Sequence, residues 1–343
     1  MTVQALPTIS RALSGPHEPA AASFAAIEER ALAVLPGLAA IRPTIGGTPL
    51  LPVPSKGGSG RVWLKIEAAN ATGTVKARTA YALLCAAVDR VGRPDIRLVE
   101  YSGGSLAMAL AEFCRILGLD LHLVVPDGAP QRLRNVLLGQ GSTVSTGVLG
   151  AGFLGAMEKA AEIAATERRE FLLQHRAVEV VAMHREHTGA ELVTQLDAFD
   201  VRPVALAAAV GTGGSVIGTG HALWERDPAC RVIALFPGEA PYGDPAAPTT
   251  TRRMNGTGGL GYGLRQPLLQ PYEQRVVLRT LPYPDTLAAM RHLRAAYGIA
   301  VCSSGAGAWL TASEVVDRSA VGAEAVALIA GRGSVEEWAH ASE

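Results

Sequence analysis

The chain has 343 residues, of which 48% are apolar and 18% charged, and its formal net charge is zero. That length is enough for one large domain or two smaller ones around real cores. A neutral chain without a basic stripe argues against a nucleic-acid partner. No run reaches the roughly 18 uninterrupted apolar residues of a membrane span, so no membrane association is expected.

The first 20 residues are rich in Pro, Ser and Ala, lack a signal-type apolar segment, and read as a loosely ordered arm. Residues 21–37 have helix-forming composition and stop at Pro36-Gly37. Strands are predicted at 62–67, 96–101, 121–126, 204–210, 231–236 and 325–330. Helices are predicted at 75–91, 105–117, 153–168, 186–198, 215–226, 285–297 and 307–318. This alternation implies βαβ units, and the unbroken apolar strands imply a parallel sheet buried on both faces. The Gly/Pro-dense segment 238–271 is long for a loop without structure, and such loops usually line or cover a site. The cysteines Cys85, Cys114, Cys230 and Cys302 form no C-x-x-C pair, which fits a reducing cytoplasm. His175, His184 and His187 have a spacing that matches no common zinc pattern, so no metal is expected.

Three glycine- or serine-rich turns follow predicted strands: Tyr101-Ser102-Gly103-Gly104-Ser105, Gly211-Thr212-Gly213-Gly214-Ser215 and Cys302-Ser303-Ser304-Gly305. In open parallel sheets such turns lie at the carboxyl ends of strands, where ligands bind. The middle one opens a helix, and its glycines and hydroxyls suit a phosphate. Tight strand-to-helix packing would select the same small residues. Val216 occupies the third-glycine position of a dinucleotide fingerprint, which disfavours a nicotinamide enzyme.

Lysine is scarce: Lys56, Lys65, Lys76 and Lys159 are the only four, against 31 basic residues in all. Lys76 falls in the first turn of a predicted helix, where the helix dipole and burial would lower its pKa. A neutral amine can form a Schiff base, which arginine cannot do. A surface lysine is the commoner case, but the small or apolar neighbours Val75 and Ala77 count against it. An amine of this kind beside a phosphate cup describes a site for pyridoxal phosphate.

The segments IGGTPLL (45–51), KIEAANATGTVKARTA (65–80), HREHTGAEL (184–192), VGTGGSVIG (210–218) and GIAVCSSGAGAWLTA (298–312) occur in that order. Together they resemble the cysteine synthase and cystathionine β-synthase family of fold-type II pyridoxal-phosphate enzymes, over about residues 41–335. The resemblance implies two open twisted-sheet α/β domains, like the tryptophan synthase β chain, with the cofactor in the interdomain cleft. A 1–40 extension would precede a smaller domain at 69–180, carrying Lys76, and a larger phosphate-binding domain made of 41–68 and 181–343. It also implies that Lys76 is the imine lysine, that Gly211 to Ser215 hold the phosphate, and that Ser303 meets the pyridine nitrogen. A serine there would leave that nitrogen largely unprotonated.

The departures fall in the substrate loop. Where the family reads Thr-Ser-Gly-Asn-Thr-Gly, this chain has Tyr101-Ser102-Gly103-Gly104-Ser105-Leu106. Gly104 lacks the side chain that contacts the cofactor's phenolic oxygen. Ser102, Gly103 and Ser105 would bind the substrate carboxylate. His175-Arg176 replaces a usual Gln-Phe, which makes His175 a substrate-pocket candidate, and Gly331 to Ser334 replace a usual Ser-Gly-Glu-Arg. Arg252 and Arg253 could meet an anionic leaving group or nucleophile, or be surface charges.

The function implied is β-replacement on an O-acyl or O-phospho L-serine through an aminoacrylate, with a nucleophile other than sulfide fitting a specialised pathway. The alternatives are a β-elimination lyase of the serine/threonine dehydratase kind and a cofactor-binding protein without turnover. The expected partners are a small amino-acid substrate and a second copy of the chain in a homodimer.

Overall fold

The computed structural model describes residues 23–244, 252–254, 256 and 265–343. Among the described residues ten strands occur in chain order: β1 (Leu50–Pro54), β2 (Arg61–Ile66), β3 (Arg97–Tyr101), β4 (Asp120–Val125), β5 (Thr143–Thr146), β6 (Glu170–Phe171), β7 (Ala205–Ala209), β8 (Arg231–Pro237), β9 (Val277–Leu281) and β10 (Glu324–Ile329). They form two sheets. One has the order β1-β2-β10-β7-β8-β9, the other β5-β4-β3-β6. Every pairing is parallel except the β1–β2 hairpin. The expected α/β class with parallel sheets holds.

All six predicted strands are present. β1, β5, β6 and β9 are additional: β5, β6 and β9 lack the continuous apolar run that marks a strand buried on both faces, and in β1 Pro52 and Pro54 interrupt the strand pattern. The helix expected at 186–198 begins earlier. Val178–Met183 runs into a π-helical turn at His184–Gly189 and continues as Ala190–Ala198. A further helix, Val335–Ser342, closes the chain behind a Ser334/Glu337 capping box.

The chain divides into two compact units. One comprises the described residues up to Pro43 with Thr79–Val180, and the other Thr44–Arg78 with Val181–Glu343. The division differs from the sequence reading around Lys76, which it places with the larger unit. The reason lies in hydrogen bonds: Val75 N–H donates to Ala330 O at 2.9 Å, and Thr74 bridges to Gly331.

In the smaller unit, β3 and β4 are buried almost throughout, and Leu110, Phe113, Ala156 and Ala160 from helices Ser105–Leu117 and Gly152–Glu167 are buried with them. The helix Ser105–Leu117 ends at Gly118, whose φ of 66° lets Leu119 N–H reach Cys114 O at 2.9 Å. Residues 1–22 of the expected arm lie outside the described residues. From Phe24 onward the extension is packed: Tyr81 donates to Glu28 at 2.7 Å, and Arg30 grips Asp89 through two 2.7 Å bonds.

The larger unit has a core on each face of its sheet. Trp309, Met290 and Leu293 lie in one, and Trp224, Val216 and Ile217 in the other. Gly218 allows the helix Gly214–Arg226 to approach the 181–189 segment, since a Cβ there would sit 2.4 Å from Val181 O.

Candidate active site

The site begins at the carboxyl ends of two neighbouring strands, β7 and β10. After β10, Ala330 O accepts from Val75 N–H and Gly331 O from Cys302 N–H at 2.8 Å. These bonds fix the backbone at Lys76, which opens the helix Lys76–Val91, and at Ser303, which opens the helix Ser303–Asp317. After β7 the chain turns through Gly211-Thr212-Gly213 into the helix starting at Gly214. Gly213 has φ 99°, in the region that favours glycine, and Gly214 N–H leans on Thr212 Oγ1 at 3.4 Å.

Lys76 and the glycine loop are together. A Cβ on Gly211 would lie 3.9 Å from Lys76 Nζ and 2.9 Å from Gly256 O. The bare backbone of the loop therefore faces the half-buried amine, with an outgoing helix N-terminus beside it. Backbone N–H groups and the dipole favour an anion there, and a primary amine within reach can bond covalently to a carbonyl carbon. This cradle, which a single methyl would narrow, fits a compact group carrying both a phosphate and an aldehyde.

A buried ion network stands behind Lys76. Arg78 donates to Glu67 at 2.7 and 3.0 Å and to Glu191 at 3.0 Å, while Lys65 is paired with Glu191 and donates to Thr48 O at 2.7 Å. Thr48 N–H and Gly47 N–H also donate to Glu191, and Gly46 N–H to Asn70. Burial opposes the Glu191 charge, but Arg78 and Lys65 outweigh it and pull the carboxyl down to about 2. Burial lowers the Lys65 pKa, with Glu191 resisting, and Glu67 overcomes burial to raise that of Arg78. Two cations and two anions balance. Three of the sequence segments, 45–51, 65–80 and 184–192, meet in this network.

His184 is fully buried. Its Nδ1 bonds Thr188 Oγ1 at 2.9 Å, and burial, reinforced by Arg78 and Lys76, holds the imidazole well below its ordinary pKa and neutral. Among the described residues no group of three His, Cys, Asp or Glu side chains could hold a metal ion.

Ser303 is also fully buried, with its hydroxyl donating to Glu337 and its N–H donating to the same oxygen, Oε1, at 3.0 Å. Sequence reasoning missed Glu337, although the pattern Ser334-Val335-Glu336-Glu337 is a capping-box signature. It also passed over Lys65, which scarcity marked as clearly as Lys76. Of the two arginines, Arg252 is exposed and pairs with Glu343 at 3.2 Å. Arg253 is half-buried, and its Nη1 has no hydrogen-bond partner among the described residues. Much of the remainder of 238–271 lies outside the described residues.

The other predicted residues belong to the smaller unit. Ser102 Oγ accepts from Gly104 N–H at 3.4 Å and Ala107 N–H at 3.2 Å, capping the helix Ser105–Leu117. Two lone pairs are thereby used and the hydroxyl proton is left for donation. Gly103 is sterically required, because a Cβ would sit 2.9 Å from Pro126 Cδ. Gly104 is not: its φ is −162°, and a Cβ would meet nothing within 4 Å. Ser105 is exposed at the helix start. His175 is buried, stacked at 5.5 Å on Tyr101 and hydrogen-bonded to its hydroxyl through Nδ1. That contact ties it to the residue before the loop. Glu100, fully buried with only a 3.4 Å side-chain bond from Gln174, is pushed up to about 8 by burial, against weaker hydrogen bonds.

Comparison with known proteins bears on this geometry. Residues 41–331 match the family described as "Pyridoxal-phosphate dependent enzyme". The chain is 27% identical over 205 residues to cysteine synthase B of Escherichia coli (strain K12), covering 59% of this chain and 67% of that protein. It is 27% identical over 281 residues to a probable cysteine synthase of Bacillus subtilis (strain 168), covering 80% of this chain and 88% of that one. The crystal structure of an O-ureido-L-serine synthase superposes with a TM-score of 0.78 at 23% identity, covering 87% of this chain and 92% of the other. The shared fold and the resemblance read from the motifs are borne out.

Proposed function

The chain belongs to the pyridoxal-phosphate dependent enzymes, and from that premise we propose that it catalyses β-replacement on an L-serine derivative with an activated β-oxygen, O-acyl or O-phospho. The observation that carries the reading is Lys76 Nζ facing the bare backbone of Gly211. When bound, the cofactor supplies the electron sink for loss of the α-proton and the β-substituent. Gly211, Thr212, Gly213, Gly214 and Ser215 would hold its phosphate through backbone N–H groups, Lys76 would attach it, and Ser303 would meet its ring nitrogen. The Lys76 amine would take the substrate's α-proton and later return it. Ser102, with its proton available, and the N–H groups at Gly103 and Ser105 take the carboxylate.

Relatives named as cysteine synthases support a serine-derived substrate, and the likeness to an O-ureido-L-serine synthase favours a nucleophile other than sulfide. Among the described residues no helix is long and apolar enough to cross a membrane. The reading takes the enzyme as a cytoplasmic homodimer, which light scattering on the purified protein checks.

The test is product analysis with O-acetyl-L-serine or O-phospho-L-serine and a panel of nucleophiles, including sulfide and hydroxyurea. Replacement yields a β-substituted amino acid while the nucleophile suppresses keto-acid release. Keto acid formed at the same rate with every nucleophile would move the assignment to the elimination lyase.

A further inference from the structure

The Ser303 hydroxyl has its proton committed. Glu337 is buried, and both of its oxygens take backbone donors: Oε1 from Ser303 N–H at 3.0 Å and Oε2 from Ser334 N–H at 3.0 Å. Ser303 Oγ lies against Oε1 as well. A carboxylate has lone pairs and no proton to give, so the hydroxyl donates to it and presents only a lone pair to any other neighbour. A serine whose proton is unclaimed can donate to an unprotonated pyridine nitrogen. This one can only accept.

We propose that Glu337 acts through Ser303 as a positioning residue that keeps the ring nitrogen of the bound cofactor protonated. The inference rests on the assignment of Ser303 to that nitrogen, and it reverses the unprotonated state that a serine alone implies. The N–H of the ring, its proton drawn from solvent, donates to Ser303 Oγ, which donates to Glu337 Oε1. Cys302 and Tyr283 also feel Glu337. Burial raises both, Tyr283 to about 12, so neither supplies a competing charge at neutral pH. Glu337 is held in place by its own capping box, in which its N–H donates to Ser334 Oγ at 3.1 Å. The electron sink of this enzyme is accordingly stronger than serine alone would provide.

The experiment uses holoenzyme reconstituted with pyridoxal phosphate labelled with ¹⁵N in the ring, and reads the ring-nitrogen chemical shift by NMR. The wild type is expected at the protonated position. Glu337→Gln, which keeps a capping side chain, and Ser303→Ala should both move the signal downfield to the unprotonated position. Ser334→Ala, which weakens the cap and spares the relay, should leave it in place. An unprotonated wild type, a shift unchanged in Glu337→Gln and Ser303→Ala, or an equal displacement in Ser334→Ala would overturn the relay while leaving the cofactor assignment standing. A wild-type protein that takes up no cofactor would overturn both.

Discussion

Two carboxyl groups that flank candidate site residues are treated in opposite ways. Glu191, in the larger unit, is surrounded by donors and held ionised at about 2, whereas Glu100, in the smaller unit, has one long side-chain bond and is pushed up to about 8. The surrounding backbone follows the same division. At Gly211 a Cβ would press on Gly256 O, 2.9 Å away, and touch the lysine amine, while at Gly104 it would meet open space. The backbone at Gly211, assigned to the cofactor, is tightly constrained, and in the loop assigned to the substrate Gly104 has room to change while Gly103 does not. Of the departures from the family pattern, Gly104 lies where change costs little, whereas Tyr101 and His175 are buried against each other.

Several substitutions would break or sharpen that contrast. Glu67→Ala leaves buried Arg78 with Glu191 as its remaining carboxylate and the network with an excess positive charge, and losing one partner of a buried pair should cost about 3–5 kcal/mol in urea unfolding. Gly213→Ala should cost roughly 1–2 kcal/mol because a side chain is strained at φ 99°, and cofactor affinity should fall with it. A stability loss under ~0.5 kcal/mol at either position would deny that this side is constrained.

Stability should also fall at both ends of the pH scale, for opposite reasons. The folded-state pKa of Glu191 is depressed from 4.5, so its contribution is present above the ordinary value and is lost as pH falls toward about 2. That of Glu100 is raised from 4.5, so its contribution is present below the ordinary value and is lost as pH rises through about 8. Glu100→Gln should flatten the limb between those values and leave the acid limb alone, which melting temperatures across pH would register. The smallest effect is expected for Gly104→Ala, within ~0.5 kcal/mol of wild type, since an extended φ of −162° and open space accept a methyl.

The pattern of legibility in the sequence has a physical basis. β7, β8 and β10 were readable because strands covered on both faces are continuous apolar runs, and β3 and β4 because apolar, mostly Leu and Val, residues dominate them around Glu100 and His122. β5 and β6 were not, because Thr143–Thr146 and Glu170–Phe171 carry no such run. Lys76 and the 211–215 loop could be read because a backbone cradle and an amine need particular residue types in order. The partners of Arg78 could not, since Glu67 lies 11 positions away and Glu191 lies 113 away, and only the fold brings them together. Glu337 was hidden for the same reason: its capping box is local, but its contact with Ser303 spans 34 positions.

The central claim is that Lys76 attaches the cofactor beside the 211–215 loop and works on an activated serine. The most direct measurement is the visible absorption spectrum of the purified protein and of Lys76→Ala, each with pyridoxal phosphate, before and after O-acetyl-L-serine. The account predicts a yellow lysine-linked band in the wild type that is missing from Lys76→Ala and that the substrate shifts. No band in the wild type after cofactor is added, or the same band in Lys76→Ala, would contradict it.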